Sequence, residues 1–359
     1  MAEPRLLAEH VAALAAQRDV AAAFTLQVAD CSIRVRTDSL PLADELRDYY
    51  RDFIVDPVEP HIDVLLLDGP VAALPVTFRA YPPSPGKTRV KDEYADLPDG
   101  RILRKRLTGM VFFFGGAHNV AVGPCRANSN QVVNFINNRF MQFEVERGYL
   151  LCHSAGVALN GRGLLLAGMA GRGKSTLALH VLEHGVDYIS NDRLLVRRRD
   201  TLEMLGLPKL PRVNPGTILH HPRLTPLLPN ELRERVEQLS AEELWELEHK
   251  YDVDVNRLFG DGRTKLTAQM VGAVVLTWTR DGGPPRFERV SLTERRDLLQ
   301  AIIKPLGAQV HFPPNAGPAE PSEESYLREF GDCPVYELTG GVDFEVAARH
   351  CLNVMKGTS

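Results

Sequence analysis

Cysteine and tryptophan are scarce: five and two in a chain of 359 residues. Cys31, Cys125, Cys152, Cys333 and Cys351 lie far apart and form no C-x-x-C pair. That spacing argues against a disulfide scaffold or a zinc ribbon and fits a reducing compartment. No apolar run approaches the roughly 18 residues of a membrane-spanning helix. The opening Met1-Ala2-Glu3-Pro4 is not a basic region followed by an apolar core, so no signal peptide is expected and the expected location is cytoplasmic. Neither sign of charge dominates: 42 Lys and Arg stand against 46 Asp and Glu, a net −4. The chain has no global field to gather nucleic acid or an anionic membrane. Arg197, Arg198 and Arg199 form a basic run between Asp192 and Asp200, which reads as a solvated strand end. No internal repeat or low-complexity tract is present.

What is there is ordinary globular composition, 44% hydrophobic and 25% charged. The length fits two domains. Residues 5–17 carry apolar positions at helical spacing, and 41–53 read as a second helix capped by Ser39. Strands are expected at 24–28, 32–36, 61–67, 111–114 and 119–122, with a hairpin joining 88–94 to 101–107. Residues 20–125 therefore read as mostly antiparallel β with no chemical constellation. A long helix follows over 128–147, with Val132, Val133, Phe135, Ile136, Phe140 and Met141 on its apolar face. Beyond it, strands and helices alternate as in a wound α/β sheet. The fold class is mixed α/β (α+β). The division expected is a β-rich N-terminal domain over 1–126 and a second domain over 127–359. Residues 313–321, rich in proline, read as a surface loop. The charged stretch 242–254 reads as a solvated helix leading into an extended segment, with a substrate lid as the sharper alternative.

The decisive segment is Gly168-Met169-Ala170-Gly171-Arg172-Gly173-Lys174-Ser175, which satisfies G-x-x-x-x-G-K-[ST] at every fixed position. Glycines at 168 and 173 free the backbone to aim amide N–H groups at phosphate oxygens. Lys174 sets a positive charge against the β and γ phosphates, and Ser175 offers a hydroxyl to Mg²⁺. An apolar run over 163–167 precedes the loop, and a helical stretch ending at Gly185 follows it. The order strand, glycine loop, helix is the one that turns a helix N-terminus toward phosphate. The nucleotide-binding set is Gly168, Ala170, Gly171, Arg172, Gly173, Lys174, Ser175 and Thr176.

Two further features sit close by. Asp187–Ser190 reads as a strand that delivers Asn191 and Asp192 to its C-terminal end, the ligand end in α/β sheets. His153 lies in a strand-like run joined to the loop's strand by the turn 160–163, a hairpin that would bring it beside the loop.

At these residues the sequence resembles the HPr kinase/phosphorylase family, and most of all its HPr-kinase-related type B branch. The resemblance rests on His153-Ser154-Ala155-Gly156-Val157, on Ser190-Asn191-Asp192 in place of the family's Ala-Asp-Asp, and on Pro211-Arg212-Val213-Asn214-Pro215-Gly216-Thr217. It is clear over 128–219 and weak beyond. It implies a kinase domain related to phosphoenolpyruvate carboxykinase, using ATP and Mg²⁺. It also implies that Asp192 is the general base for a hydroxyl and a metal ligand beside Ser175. His153 would orient Asp192, making Asp192, His153 and Lys174 the catalytic set. Asn191 and Asn214 stand where the family places acids, which weakens metal-binding charge and puts the reverse, phosphorylase reaction in doubt. Asn191, Arg212 and Asn214 are candidates for the substrate or transferred phosphate, with a surface ion pair as the plain alternative for Arg212. The pair His220 and His221 lacks a further ligand at metal spacing and reads as a loop pair. The family's late basic loop is replaced by Leu338-Thr339-Gly340-Gly341-Val342-Asp343.

The function expected is phosphoryl transfer from ATP to a hydroxyl of a protein, peptide or small molecule. The alternative is a catalytically weak nucleotide-binding regulatory or scaffold protein, motivated by Asn191 and Asn214. A GTP switch ranks third, because no Asn-Lys-x-Asp motif is present. A homo-oligomer is left open: the HPr enzymes assemble, but their assembly elements are not evident here.

Overall fold

The computed structural model describes residues 6–83, 88–221, 223–240, 243–244, 247, 250–312, 317–318 and 321–358. The chain divides into two compact units, 1–148 with 306–319, and 149–305 with 320–359. The expected boundary at 126/127 is displaced. The long helix Ser129–Glu146 belongs to the first unit, where it packs on the strands Ile62–Asp68 and His118–Gly123.

The first unit holds a nine-stranded sheet in the spatial order Ile54–Val55, Ala22–Val28, Cys31–Thr37, Ile62–Asp68, His118–Gly123, Val111–Gly115, Gly100–Lys105, Asp92–Leu97 and Arg79–Ala80. It is mostly antiparallel, as expected, with two parallel pairings at its centre. Cys31–Thr37 runs parallel to Ile62–Asp68, which runs parallel to His118–Gly123. The helix Leu40–Tyr49 is the crossover of the first parallel pair. It starts where the sequence says it should: Ser39 Oγ accepts from Leu42 N at 3.4 Å, and Pro41 sits in the first turn. Helix Leu7–Ala15 buries Leu7 and Val11 among Leu65, Leu67, Ile102, Val111 and Phe113. Asp99, in the hairpin turn, accepts from the N–H groups of Leu7 and Ala8 and so ties down that helix's start.

The second unit also holds a mixed sheet rather than a regularly wound one. Its main path is Leu150–Cys152, Leu194–Arg198, Leu202–Leu205, Thr267–Leu276, Arg162–Gly168, Ser154–Leu159 and Asp187–Ser190. Val335–Thr339 pairs with the end of Thr267–Leu276, and Arg286–Val290 pairs with Val335–Thr339. Two pairings are parallel: Arg162–Gly168 with Thr267–Leu276, and Thr267–Leu276 with Val335–Thr339. The central strands are apolar without alternation because both faces are covered. Leu164 and Leu166 face helices Lys174–Leu182 and Phe344–Lys356 through Leu177, Val181, Ala348 and Cys351. Leu165 and Ala167 face the other way, into a core with Leu299, Ile302, Tyr326 and Phe330. Burying each such leucine contributes roughly 1.5–3 kcal/mol, so the strand Arg162–Gly168 is held from both sides.

The arginine run is not a solvated strand end. Arg197 lies over the Tyr149 ring at 4.1 Å. Arg198 donates to the carbonyls of Glu329 and Phe330 at 2.9 and 2.6 Å. Arg199 is the exposed member, with its Nε 3.7 Å from Glu203. Of the charged stretch, Glu242, Trp245, Glu246 and Glu248 lie outside the described residues. Its extended end is Tyr251–Asp252, a strand paired with Arg212–Val213. Most of 313–321 also lies outside them.

Candidate functional site

The site is built at one end of the second unit's strands, where Arg162–Gly168 stops. The strand Arg162–Gly168 runs into a loop whose Gly171 and Gly173 have φ of 80° and 83°, the left-handed region that favours glycine. Gly168 allows close approach: a Cβ there would lie 3.1 Å from the Cβ and carbonyl oxygen of Leu276 on the neighbouring strand. Helix Lys174–Leu182 starts directly after Gly173, so its first N–H groups open toward the loop.

Lys174 is 8% exposed, and its Nζ donates to the Gly168 carbonyl at 2.5 Å. Burial, helped by the charge of Lys304 and opposed by Asp192, lowers its pKa to about 8. The ammonium thus bridges back to the start of its own loop, where a phosphate would offer a stronger partner. Two reciprocal bonds fasten the loop to the next strand: Arg172 Nη1 to the Trp278 carbonyl at 2.6 Å, and Trp278 Nε1 to the Arg172 carbonyl at 2.8 Å. Arg172 is therefore structural in this state. Thr176 Oγ1 lies 3.0 Å from Thr217 Oγ1 on the short helix Pro215–Leu219.

His153 marks a change of partner. Before it, Leu150–Cys152 pairs with the strand Leu194–Arg198; after it, Ser154 pairs with Ala167 of the strand Arg162–Gly168. Gly156 in turn pairs with Ser190. The hairpin expected from the sequence therefore forms, through Asn160 and Gly161 at φ of 51° and 77°. It brings His153, Gly168 and Asp192 to the same end of these strands. His153 Nε2 lies 3.2 Å from Asp192 Oδ1. The second carboxylate oxygen, Oδ2, accepts from Lys304 Nζ at 3.0 Å. Partial burial opposes ionisation of Asp192. The His153 hydrogen bond and the Lys304 charge outweigh it, holding the carboxyl well below the usual carboxylate range.

Sequence reasoning missed Lys304. No local motif marks it. Ile302–Lys304 reaches the site by bridging the segment before His153: His153 N donates to Ile302 O at 2.7 Å and Lys304 N to Leu151 O at 3.3 Å. Lys209 is also in the field of Asp192, and burial together with Arg193 and Arg212 lowers its pKa to about 8.

Arg212 Nε lies 3.0 Å from Asp252 Oδ1, and its Nη2 donates to the Lys250 carbonyl at 3.2 Å. The Oδ1 atoms of Asn191 and Asn214 are buried with no hydrogen-bond partner among the described residues. His221 is buried, 3.5 Å from Glu183 and 3.4 Å from the Leu179 carbonyl, as a packed residue. Among the described residues no group of three or more His, Cys, Asp or Glu could hold a metal ion. No helix among them is long and apolar enough to cross a membrane. The five cysteines are free.

No protein-family model matches this chain, and no curated protein matches it. Among solved structures it is similar to the Hpr(Ser) kinase/phosphatase from Coxiella burnetii, at 12% identity, over 58% of this chain and 99% of that one, with a TM-score of 0.27. At that score the likeness decides nothing about this chain, and the reading below rests on its own residues.

Proposed function

We propose that the second unit is an ATP-dependent phosphotransferase that passes the γ-phosphoryl group to a hydroxyl acceptor. The single observation that carries this is Lys174, at the base of a glycine loop and helix N-terminus, within the electrostatic reach of Asp192. Phosphoryl transfer needs a phosphate cradle, charge neutralisation and a group to orient the attacking oxygen. The loop's N–H groups and Lys174 supply the first two. On binding, Lys174 exchanges the Gly168 carbonyl for phosphate oxygens, whose negative charge favours its ammonium form. Asp192 supplies the third: it stays ionised and accepts a hydrogen bond from the acceptor hydroxyl, while His153 fixes the carboxylate's orientation.

Mg²⁺ would neutralise charge on the β and γ phosphates. The oxygen donors here fit an ion that arrives with the nucleotide rather than one held beforehand. They are the Ser175 hydroxyl, the two orphaned carbonyls of Asn191 and Asn214, and one carboxylate already engaged on both oxygens. Phosphate oxygens and water complete such a shell.

A second reading has its own support. Each Asp192 oxygen already accepts a donor, and the carboxyl is far less basic than usual. A regulatory protein that binds nucleotide and turns it over slowly would look the same. Phosphate-transfer mass spectrometry separates the two. With ATP and Mg²⁺, transfer to an acceptor from lysate fractions, lost in Lys174→Ala, supports the phosphotransferase. Tight ATP binding with no transfer to any fraction sinks it and leaves the regulatory reading.

A further inference from the structure

Among the described residues, the second unit leaves two large apolar side chains exposed: Met169 at 54% and Val342 at 41%. Solitary exposed apolar residues are common and call for no explanation. Here Met169 lies in the glycine loop itself, and Val342 lies in the loop that follows the strand Val335–Thr339. Met169 is the second residue of the glycine loop. Val342 lies two residues before Phe344, whose ring edge would be 3.0 Å from a Cβ on Gly173.

The sheet order places Val342. From Gly168, the strand beginning at Ser154 and then the strand ending at Ser190 lie one way, toward His153 and Asp192. The ends of Thr267–Leu276 and Val335–Thr339 lie the other way, and beyond them come Trp278 and the loop 340–342, which make a floor on the side away from Asp192. That floor is firm. The reciprocal Arg172–Trp278 bonds hold it, Thr279 N donates to Gly340 O at 2.8 Å, and Gly341 N to Gly283 O at 2.7 Å. Phe344 meets the Trp278 ring edge-on at 5.2 Å and stacks on His180 at 5.1 Å.

We propose that Met169 and Val342 form the ledge that receives the heteroaromatic base of the nucleotide. The ledge reads the base by apolar contact, and a flat ring laid on a thioether and a branched side chain covers surface that is otherwise wet. This rests on the phosphate-cradle reading above, and the two can fail separately.

The test compares ligands with and without a base. Isothermal titration of the full chain uses ATP and inorganic tripolyphosphate, each with Mg²⁺, against the unaltered protein and the double variant Met169→Ser/Val342→Ser. Both positions are exposed, and unchanged thermal unfolding confirms the fold. The expected result is ATP affinity lowered about tenfold, or about 1.4 kcal/mol, with tripolyphosphate affinity unchanged. Equal losses for both ligands, or no loss for either, overturn the ledge. Failure of the unaltered protein to bind tripolyphosphate overturns the cradle reading and the ledge with it.

Discussion

Replacing Gly173 by alanine puts the loop's geometry to a quantitative test. The residue has φ of 83° and ψ of 21°, a conformation that costs an L-residue about 1–2 kcal/mol. A second penalty is separable. The new methyl carbon would lie 3.0 Å from Cε1 and Cζ of Phe344. That ring cannot simply yield, because it is stacked on His180 and set edge-on against the buried Trp278. Overpacking of this kind costs typically about 1–3 kcal/mol. The sum is a loss of about 2–5 kcal/mol from the second unit. Urea unfolding followed by tryptophan fluorescence reads it, and a double-mutant cycle divides it. In a Phe344→Leu background the clash is relieved, so Gly173→Ala should retain only the backbone penalty of about 1–2 kcal/mol. A loss under about 0.5 kcal/mol in the original background refutes the backbone argument, since surface changes without a mechanism fall within that range. An equal loss in both backgrounds refutes the packing argument.

Lys174 makes two opposite pH dependences. Its folded pKa, lowered to about 8 by burial, lies below that of a lysine in the unfolded chain, so the unfolded chain binds more protons between the two. Its contribution to stability therefore rises from about pH 8 toward pH 10.5, while phosphate affinity falls through the same window. Lys174→Arg, which keeps its charge, should flatten both curves in thermal unfolding and nucleotide titrations; unflattened curves would assign them elsewhere. Asp192→Asn should leave nucleotide affinity within about threefold and lower turnover by about 10²–10⁴, read by single-turnover transfer of labelled phosphate; intact turnover would remove Asp192 as the group that orients the acceptor. The thiols of Cys31, Cys125, Cys333 and Cys351 are pushed to about 12 by burial. Cys152 is pushed higher still by the same cause. An aromatic disulfide reagent at pH 8 should therefore react slowly with the native protein and with all five thiols in denaturant; a fast native thiol would contradict the packing around it.

The glycine loop and the helix after it were legible because their residues are local in sequence and each has a backbone requirement that few others meet. Gly173 and Lys174 are adjacent, and the strand Asp187–Ser190 lies where its apolar run placed it. His153 was legible for the same reason, through the tight turn at Asn160 and Gly161. Lys304 was not: it meets Asp192 across 112 residues, through a one-residue bridge between Cys152 and Ile303. The parallel pairings of the first sheet were missed because alternation of apolar residues fixes which face is buried, not which way the neighbour runs. The long helix was assigned to the wrong unit because its apolar face shows that it packs, not against what. Arg197 and Arg198 looked solvated because charge runs usually are; here an aromatic ring and a helix end take them up.

The return of residues 306–319 to the first unit also bears on how the protein is made. Their bonds are specific: Gln142 Nε2 donates to the His311 carbonyl at 3.0 Å, His311 N donates back to Gln142 Oε1 at 3.3 Å, and Asn138 Nδ2 donates to Gln309 Oε1. On the ribosome, the helix Ser129–Glu146 emerges long before these partners. At about 5–20 residues per second, the roughly 160 residues in between delay them by about 8–30 s. During that interval Asn138 and Gln142 stand without their final acceptors, so the nascent first unit stays unfinished until the second has largely emerged. A gene truncated at residue 148 would express a permanent version of that unfinished state.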